Sequence, residues 1–224
     1  MQNTNNPISI LEQAEKNHAD GNYSDALTQY IWFFEKAVDI DEDCIGAKHV
    51  RCLQAWHDLS KVYPPAYNKL FEKKDYFFTQ LKIHPKLDHY MSFIKICNYL
   101  DLIPEIINFF KYLHKNNPLF AKEIFSQTMP FLCKSKEFTL CEIYIDNPNK
   151  LYQEQLLLLD NLLNTDKKYY KYEFKNSYIE TFFRNIEYIL ESLKMTNRTT
   201  EINNMLSRLK TDMLQRNIHI KIEN

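Results

Sequence analysis

From Ile8 onward, apolar side chains recur along the chain at intervals of three and four residues, the spacing that places them on one face of an α-helix. The clearest stripe is Tyr23, Ala26, Leu27, Tyr30, Phe33, Phe34, Ala37 and Val38, which follows the i, i+3, i+4, i+7 pattern. Asn22 or Ser24 can cap its start with a side-chain oxygen. A third helix is predicted from about Ile45 to Leu59 with Leu53 and Trp56 inward. A fourth follows Tyr63-Pro64-Pro65 and buries Leu70, Phe71, Phe77, Phe78 and Leu81. Beyond His84-Pro85 the pattern predicts helices over 86–100, 104–116, 118–133, 136–145, 148–163, 166–195 and 199–216. Prolines at 104, 118 and 148 fall at helix starts, while Pro130 is expected to kink or split its helix. The stripes over 178–193 and 202–214, joined by Thr196-Asn197-Arg198, are expected to form an antiparallel hairpin.

Corners of two to four residues leave no linker between independent domains. The expected organisation is a frayed 1–7, one helical-repeat domain over 8–217, and a tail over 218–224. The fold class is all-α, an α-solenoid of about ten to eleven helices stacked as antiparallel hairpins.

One segment carries a specific signature. Ala14 precedes the turn Gly21-Asn22-Tyr23, which leads into Ala26-Leu27 and Tyr30. Over residues 14–41 this resembles a tetratricopeptide repeat, in which a small residue of helix A faces a G-[DN]-Y turn followed by A-[LI]-x-x-[YF] in helix B. Phe33 stands where that family usually has a small residue, and no proline closes the repeat. The resemblance implies a right-handed superhelix whose 8–82 part is tetratricopeptide-like and whose 86–217 part is a degenerate continuation. It also implies a concave surface that captures a segment of another protein.

Composition narrows the function. With only Gly21 and Gly46, the chain has no glycine-rich phosphate loop and no nucleophile elbow. Net charge is −1, divided as 11 Lys/Arg against 15 Asp/Glu in residues 1–110 and 17 against 14 thereafter, so no global field draws nucleic acid or an anionic membrane. The opening MQNTNNPIS is polar, and Cys44, Cys52, Cys97, Cys133 and Cys141 are odd in number and lie in apolar stretches. Those features predict reduced cysteines in a cytoplasmic protein.

His49, Cys52 and His57 share a helix near Cys44, but no second ligand pair completes a zinc site. Cys133 and Cys141, with His114 upstream, match no protease signature. Asp39, Asp41, Glu42 and Asp43 lack the spacing and glycine of a calcium loop and read as a solvated helix end suited to a basic partner. Lys167-Lys168-Tyr169-Tyr170-Lys171-Tyr172 and Lys175 interleave bases and rings as a single-stranded nucleic-acid groove would, or as lysines snorkelling from a helix.

The expectation is therefore a non-catalytic binding module with no cofactor, no metal and another protein as partner. Tyr30, Trp32 and Phe34 are its candidate aromatic anchors, and Asp39, Asp41 and Asp43 supply steering. Core burial of the aromatics is the competing reading. Two alternatives stand beside it: an immunity-type inhibitor of a cognate bacterial toxin, and a nucleic-acid-binding helical protein.

Overall fold

A computed structural model of the chain describes residues 6–169 and 174–218, the side chains at 165, 166, 168 and 169 excepted. Among the described residues every regular element is helical. In chain order these are α1 (Pro7–Ala19), α2 (Tyr23–Ile40), α3 (Ile45–Ala47), α4 (Leu53–Ser60), α5 (Pro64–Ile83), α6 (Leu87–Tyr99), α7 (Ile103–Asn116), α8 (Pro118–Lys134), α9 (Phe138–Tyr144), α10 (Pro148–Tyr169), α11 (Lys175–Met195) and α12 (Thr199–Gln215). A 3-10 turn, Glu42–Cys44, precedes α3, and a π-helical turn, Lys48–Cys52, joins α3 to α4.

The chain divides into two compact units, residues 1–124 and 125–224. The boundary falls inside α8 rather than at a corner, which is why no linker marks it. In the first unit α1 packs on α2, α2 on α4, α4 on α5, α5 on α6 and α6 on α7. α4 also meets α6. In the second unit α10 packs on α11, α11 on α12 and α9, and α10 on α12.

The α1–α2 corner shows how sequence sets the local fold. Gly21 has φ +81, a left-handed conformation that costs glycine little because it has no Cβ. That turn lets α2 fold back so that Ala14 of α1 and Ala26 of α2 are both fully buried. Small residues there let two helix backbones approach closely. Asn22 occupies the cap position of α2 but makes no side-chain cap hydrogen bond, so neither proposed cap acts; Tyr23 Nα–H donates to the Gly21 carbonyl instead.

The first core is aromatic. Phe34 meets Trp56 and Phe77 edge-on at ring distances of 6.0 and 6.1 Å, and Trp56 Nε1 donates to the Ala66 carbonyl at 3.0 Å. An edge-to-face arrangement sets the positive rim of one ring against the negative face of the other. The indole N–H would be an orphaned donor without Ala66. In the second unit, Tyr152 of α10 meets Phe182 of α11 at 6.3 Å, and Ile186, Ile189 and Leu193 continue the inward stripe of α11.

Three boundaries differ from the sequence pattern. The π turn interrupts the helix expected over 45–59 and carries Lys48-His49 and Cys52-Leu53 into the interior as adjacent pairs. α8 continues through Pro130 without splitting, since a ring inside a well-buried helix removes one ladder hydrogen bond while Met129, Leu132 and Cys133 remain packed. α10 runs on to Tyr169 and α11 begins only at Lys175, because Asn164 to Tyr169 contains neither glycine nor proline to end the helix.

Candidate functional site

A cleft of about 460 Å³ opens on the first unit where α2, the π turn, α5 and α6 converge. Phe34 and Phe77 form its apolar floor, and Tyr76 stands at its wall with half its surface exposed. Glu35, Lys36 and Asp39 enter from α2, Lys73 from α5, and Asp88 and His89 from the first turn of α6. A shallower depression of about 760 Å³ continues from Val38, Asp39 and Asp88 past Ile40, Glu42 and Ile45. Ile40 and Ile45 are 55% and 42% exposed, so this rim offers aliphatic surface beside carboxylates.

Lys48 is the unusual member. Its residue is only 7% exposed, yet its ammonium lies 3.8 Å from the Asp88 carboxylate, beyond direct hydrogen-bond range, and 5.0 Å over the Phe34 ring. A buried cation so loosely held retains donors for an incoming acceptor. Next to it, His89 has a buried Nδ1 without a hydrogen-bond partner, and burial holds its pKa below the ordinary histidine value. Lys73 pairs with Glu35 and rests 5.6 Å over the Tyr76 ring. The lining therefore alternates cations, carboxylates and rings within one concavity.

The residues singled out from the sequence separate here. Phe34 and Asp39 reach the cleft. Tyr30 does not: it is fully buried, Cys52 Sγ–H donates to its carbonyl at 3.5 Å, and its hydroxyl has no hydrogen-bond partner. Phe34 is 2% exposed, a floor residue rather than a projecting anchor. Burial of Tyr30 and Phe34 accords with the competing reading of these aromatics as core, with Phe34 also reaching the cleft from below. α2 is covered by α1 on one side and α4 on another, so its aromatic stripe is consumed by the core. Trp32 is half-buried and lines neither depression. The Asp41 carboxylate accepts the Asp43 backbone N–H at 3.1 Å, capping the 3-10 turn, and both residues are exposed.

His49 pairs with Ser92 at 3.2 Å, and His57 lies against the Tyr99 ring at 5.5 Å. Among the described residues no group of three or more His, Cys, Asp or Glu side chains gathers to hold a metal. No described helix is long and apolar enough to cross a membrane. Lys167 is exposed near the end of α10, while the side chains of Lys168 and Tyr169 and residues 170–173 lie outside the described residues.

Sequence reasoning missed Lys48, Lys73, Tyr76, Asp88 and His89. Comparisons with protein-family models, curated proteins and solved structures find no match to this chain.

Proposed function

We propose that the chain is a non-catalytic helical-repeat module, a solenoid of tetratricopeptide-like hairpins, that captures a segment of another protein in the α2/α5/α6 cleft. The observation that carries this reading is the juxtaposition of a Phe34–Phe77 floor, a loosely paired buried Lys48 and a rim of Asp39, Glu42 and Asp88 beside exposed Ile40 and Ile45. An apolar floor supplies affinity by shedding water, and rim charges of defined sign supply register and steering. The best fit is a basic segment that sets an aliphatic or aromatic residue on the floor and its cations against the carboxylates. One acceptor group of that segment would meet Lys48.

The five cysteines are free and buried, which supports a reducing compartment and hence a cytoplasmic partner.

A photo-crosslinking residue at Tyr76 or Ile40, introduced in host cells, tests the proposal. Both positions should trap the same protein, and a third probe at the exposed Leu214 of α12 should not. Equal trapping at all three positions, or none at the cleft, removes the cleft as the binding surface.

A further inference from the structure

The second unit holds a distinct arrangement of sulfur. Cys133 sits in the last turn of α8 and Cys141 in the middle of α9, eight residues on. The corner between them turns through Lys136 at φ 60, which folds α9 back beside the end of α8. The two Sγ atoms come within 3.8 Å of each other. From α11, the Ser192 hydroxyl approaches Cys133 Sγ at 3.4 Å, and the Tyr188 carbonyl approaches it at 3.7 Å. Both cysteines are buried, and α9 is only seven residues long.

We propose that Cys133 and Cys141 form a reversible dithiol, which a peroxide or a small-molecule disulfide converts to an intramolecular disulfide. A sulfur–sulfur bond is about 2.05 Å long, so the sulfurs must close by roughly 1.8 Å from their present 3.8 Å. Rotation about the two Cα–Cβ bonds and a small shift of the short α9 cover that distance. Cys52, also buried, instead sets its Sγ against the Tyr30 carbonyl.

The order of events follows from the hydrogen bonds. As a thiolate, Cys133 can accept from the Cys141 thiol, and from the Ser192 hydroxyl once that proton turns away from the Tyr188 carbonyl to which it is donated at 2.9 Å. The bond from Cys141 comes first among the causes that pull its pKa below the ordinary thiol value against the opposing effect of burial. The same pairing, together with burial, pushes the Cys141 thiol up. Cys133, whose sulfur lies against both the Cys141 sulfur and the Ser192 hydroxyl, is assigned the attacking role. With hydrogen peroxide, its thiolate takes one oxygen and releases hydroxide, giving a sulfenic acid. The Cys141 sulfur then attacks the Cys133 sulfur, its proton leaves with the sulfenic oxygen as water, and the disulfide forms. Two electrons pass from the sulfur pair to the peroxide. With a small disulfide, Cys133 first displaces one thiol to form a mixed disulfide and Cys141 then displaces the other. Burial makes local opening of α9 the gate for either oxidant.

Mass spectrometry of the intact wild-type chain tests this without any variant. After hydrogen peroxide, quenching and alkylation in denaturant, the bridged chain should lack one pair of hydrogens and take up label only at Cys44, Cys52 and Cys97. Trypsin cuts after Lys134 and Lys136, so the Cys133 and Cys141 peptides travel together only when bridged, and dithiothreitol should separate them. In Cys141→Ser, a dione reagent should trap a sulfenic acid on Cys133, and in Cys133→Ser it should trap several-fold less on Cys141. Ser192→Ala should slow bridging several-fold at neutral pH. Full labelling of Cys133 and Cys141 at peroxide concentrations that oxidise a free dithiol overturns the proposal. So does bridging to any other cysteine, or equal sulfenic acid trapping in both single variants.

Discussion

His49 Nε2 lies 3.2 Å from the Ser92 hydroxyl, in the first core, with both side chains buried. Burial, reinforced by the adjacent Lys48 ammonium, pushes the His49 pKa from 6.5 down to about 4. The folded state thus binds fewer protons than the unfolded chain across that interval, and stability falls as pH falls from 6.5 toward 4. His57 and His89 are shifted in the same direction by burial and add to the slope. For His49 alone the loss amounts to about 2 kcal/mol between pH 7.5 and pH 5. Urea unfolding at the two pH values should show it, and His49→Gln should lose less on acidification than the wild type. An unchanged slope in that variant would place His49 in water.

The Gly21 turn yields a second expectation. No atom lies within 4 Å of the place where a Cβ on Gly21 would sit, so Gly21→Ala is penalised by its backbone conformation alone, at about 1 kcal/mol. Ala26 is different, because it is fully buried at the α1–α2 contact. Ala26→Leu should overpack that contact and cost about 1–3 kcal/mol. A melting temperature untouched by Ala26→Leu would count against the hairpin geometry.

Tyr30 separates core from surface in one substitution. Its hydroxyl is buried without a partner, and leaving such a group unpaired costs about 1–3 kcal/mol. Tyr30→Phe should therefore leave stability equal or raise it, and should leave partner capture unchanged. A clear loss of stability would show that the hydroxyl finds an acceptor.

Much of the helical layout was legible because its signals are local. Pro64, Pro118 and Pro148 open α5, α8 and α10, Pro104 lies in the first turn of α7, and Gly21 turns α1 into α2. The π turn was not legible, since neither glycine nor proline falls between Lys48 and Cys52 to mark it. The cleft was legible only in part. Periodicity shows that Phe34 and Phe77 face inward, but not that α2, α5 and the π turn converge around one space. That convergence depends on contacts between residues far apart in sequence. The Tyr30 ring, inward by pattern, lies in the core and does not line the cleft.

In the second unit, the Tyr152 hydroxyl donates to the Asp212 carboxylate at 2.8 Å. Arg216 holds Asp160 through two bonds of 2.7 Å and donates to the Asp212 carbonyl at 2.9 Å. Together these fasten α12 to α10. Tyr152→Phe should cost about 1–2 kcal/mol, because Asp212 loses a buried donor. Arg216→Lys should cost about 1 kcal/mol, because a lysine cannot reproduce the paired geometry. Denaturant titrations of the two variants measure both, and no change in either would show that α12 is held by its apolar face alone.

Lys48 tests whether the cleft serves binding or the fold. Lys48 buries nearly all of its side chain, and the 3.8 Å contact with Asp88 is too long to offset much of the cost of holding a charge there. Replacing it with an apolar side chain of similar length removes that cost, so Lys48→Met should leave the melting temperature unchanged or raise it. If Lys48 meets an acceptor on the partner, the same variant should reduce crosslinking from Tyr76 several-fold. Asp39→Lys should also reduce it, through repulsion of a basic segment. Added salt should weaken wild-type capture by screening the exposed rim. A Lys48→Met variant that unfolds early while still crosslinking normally would assign the ammonium to the fold and leave recognition to the rings and the carboxylates.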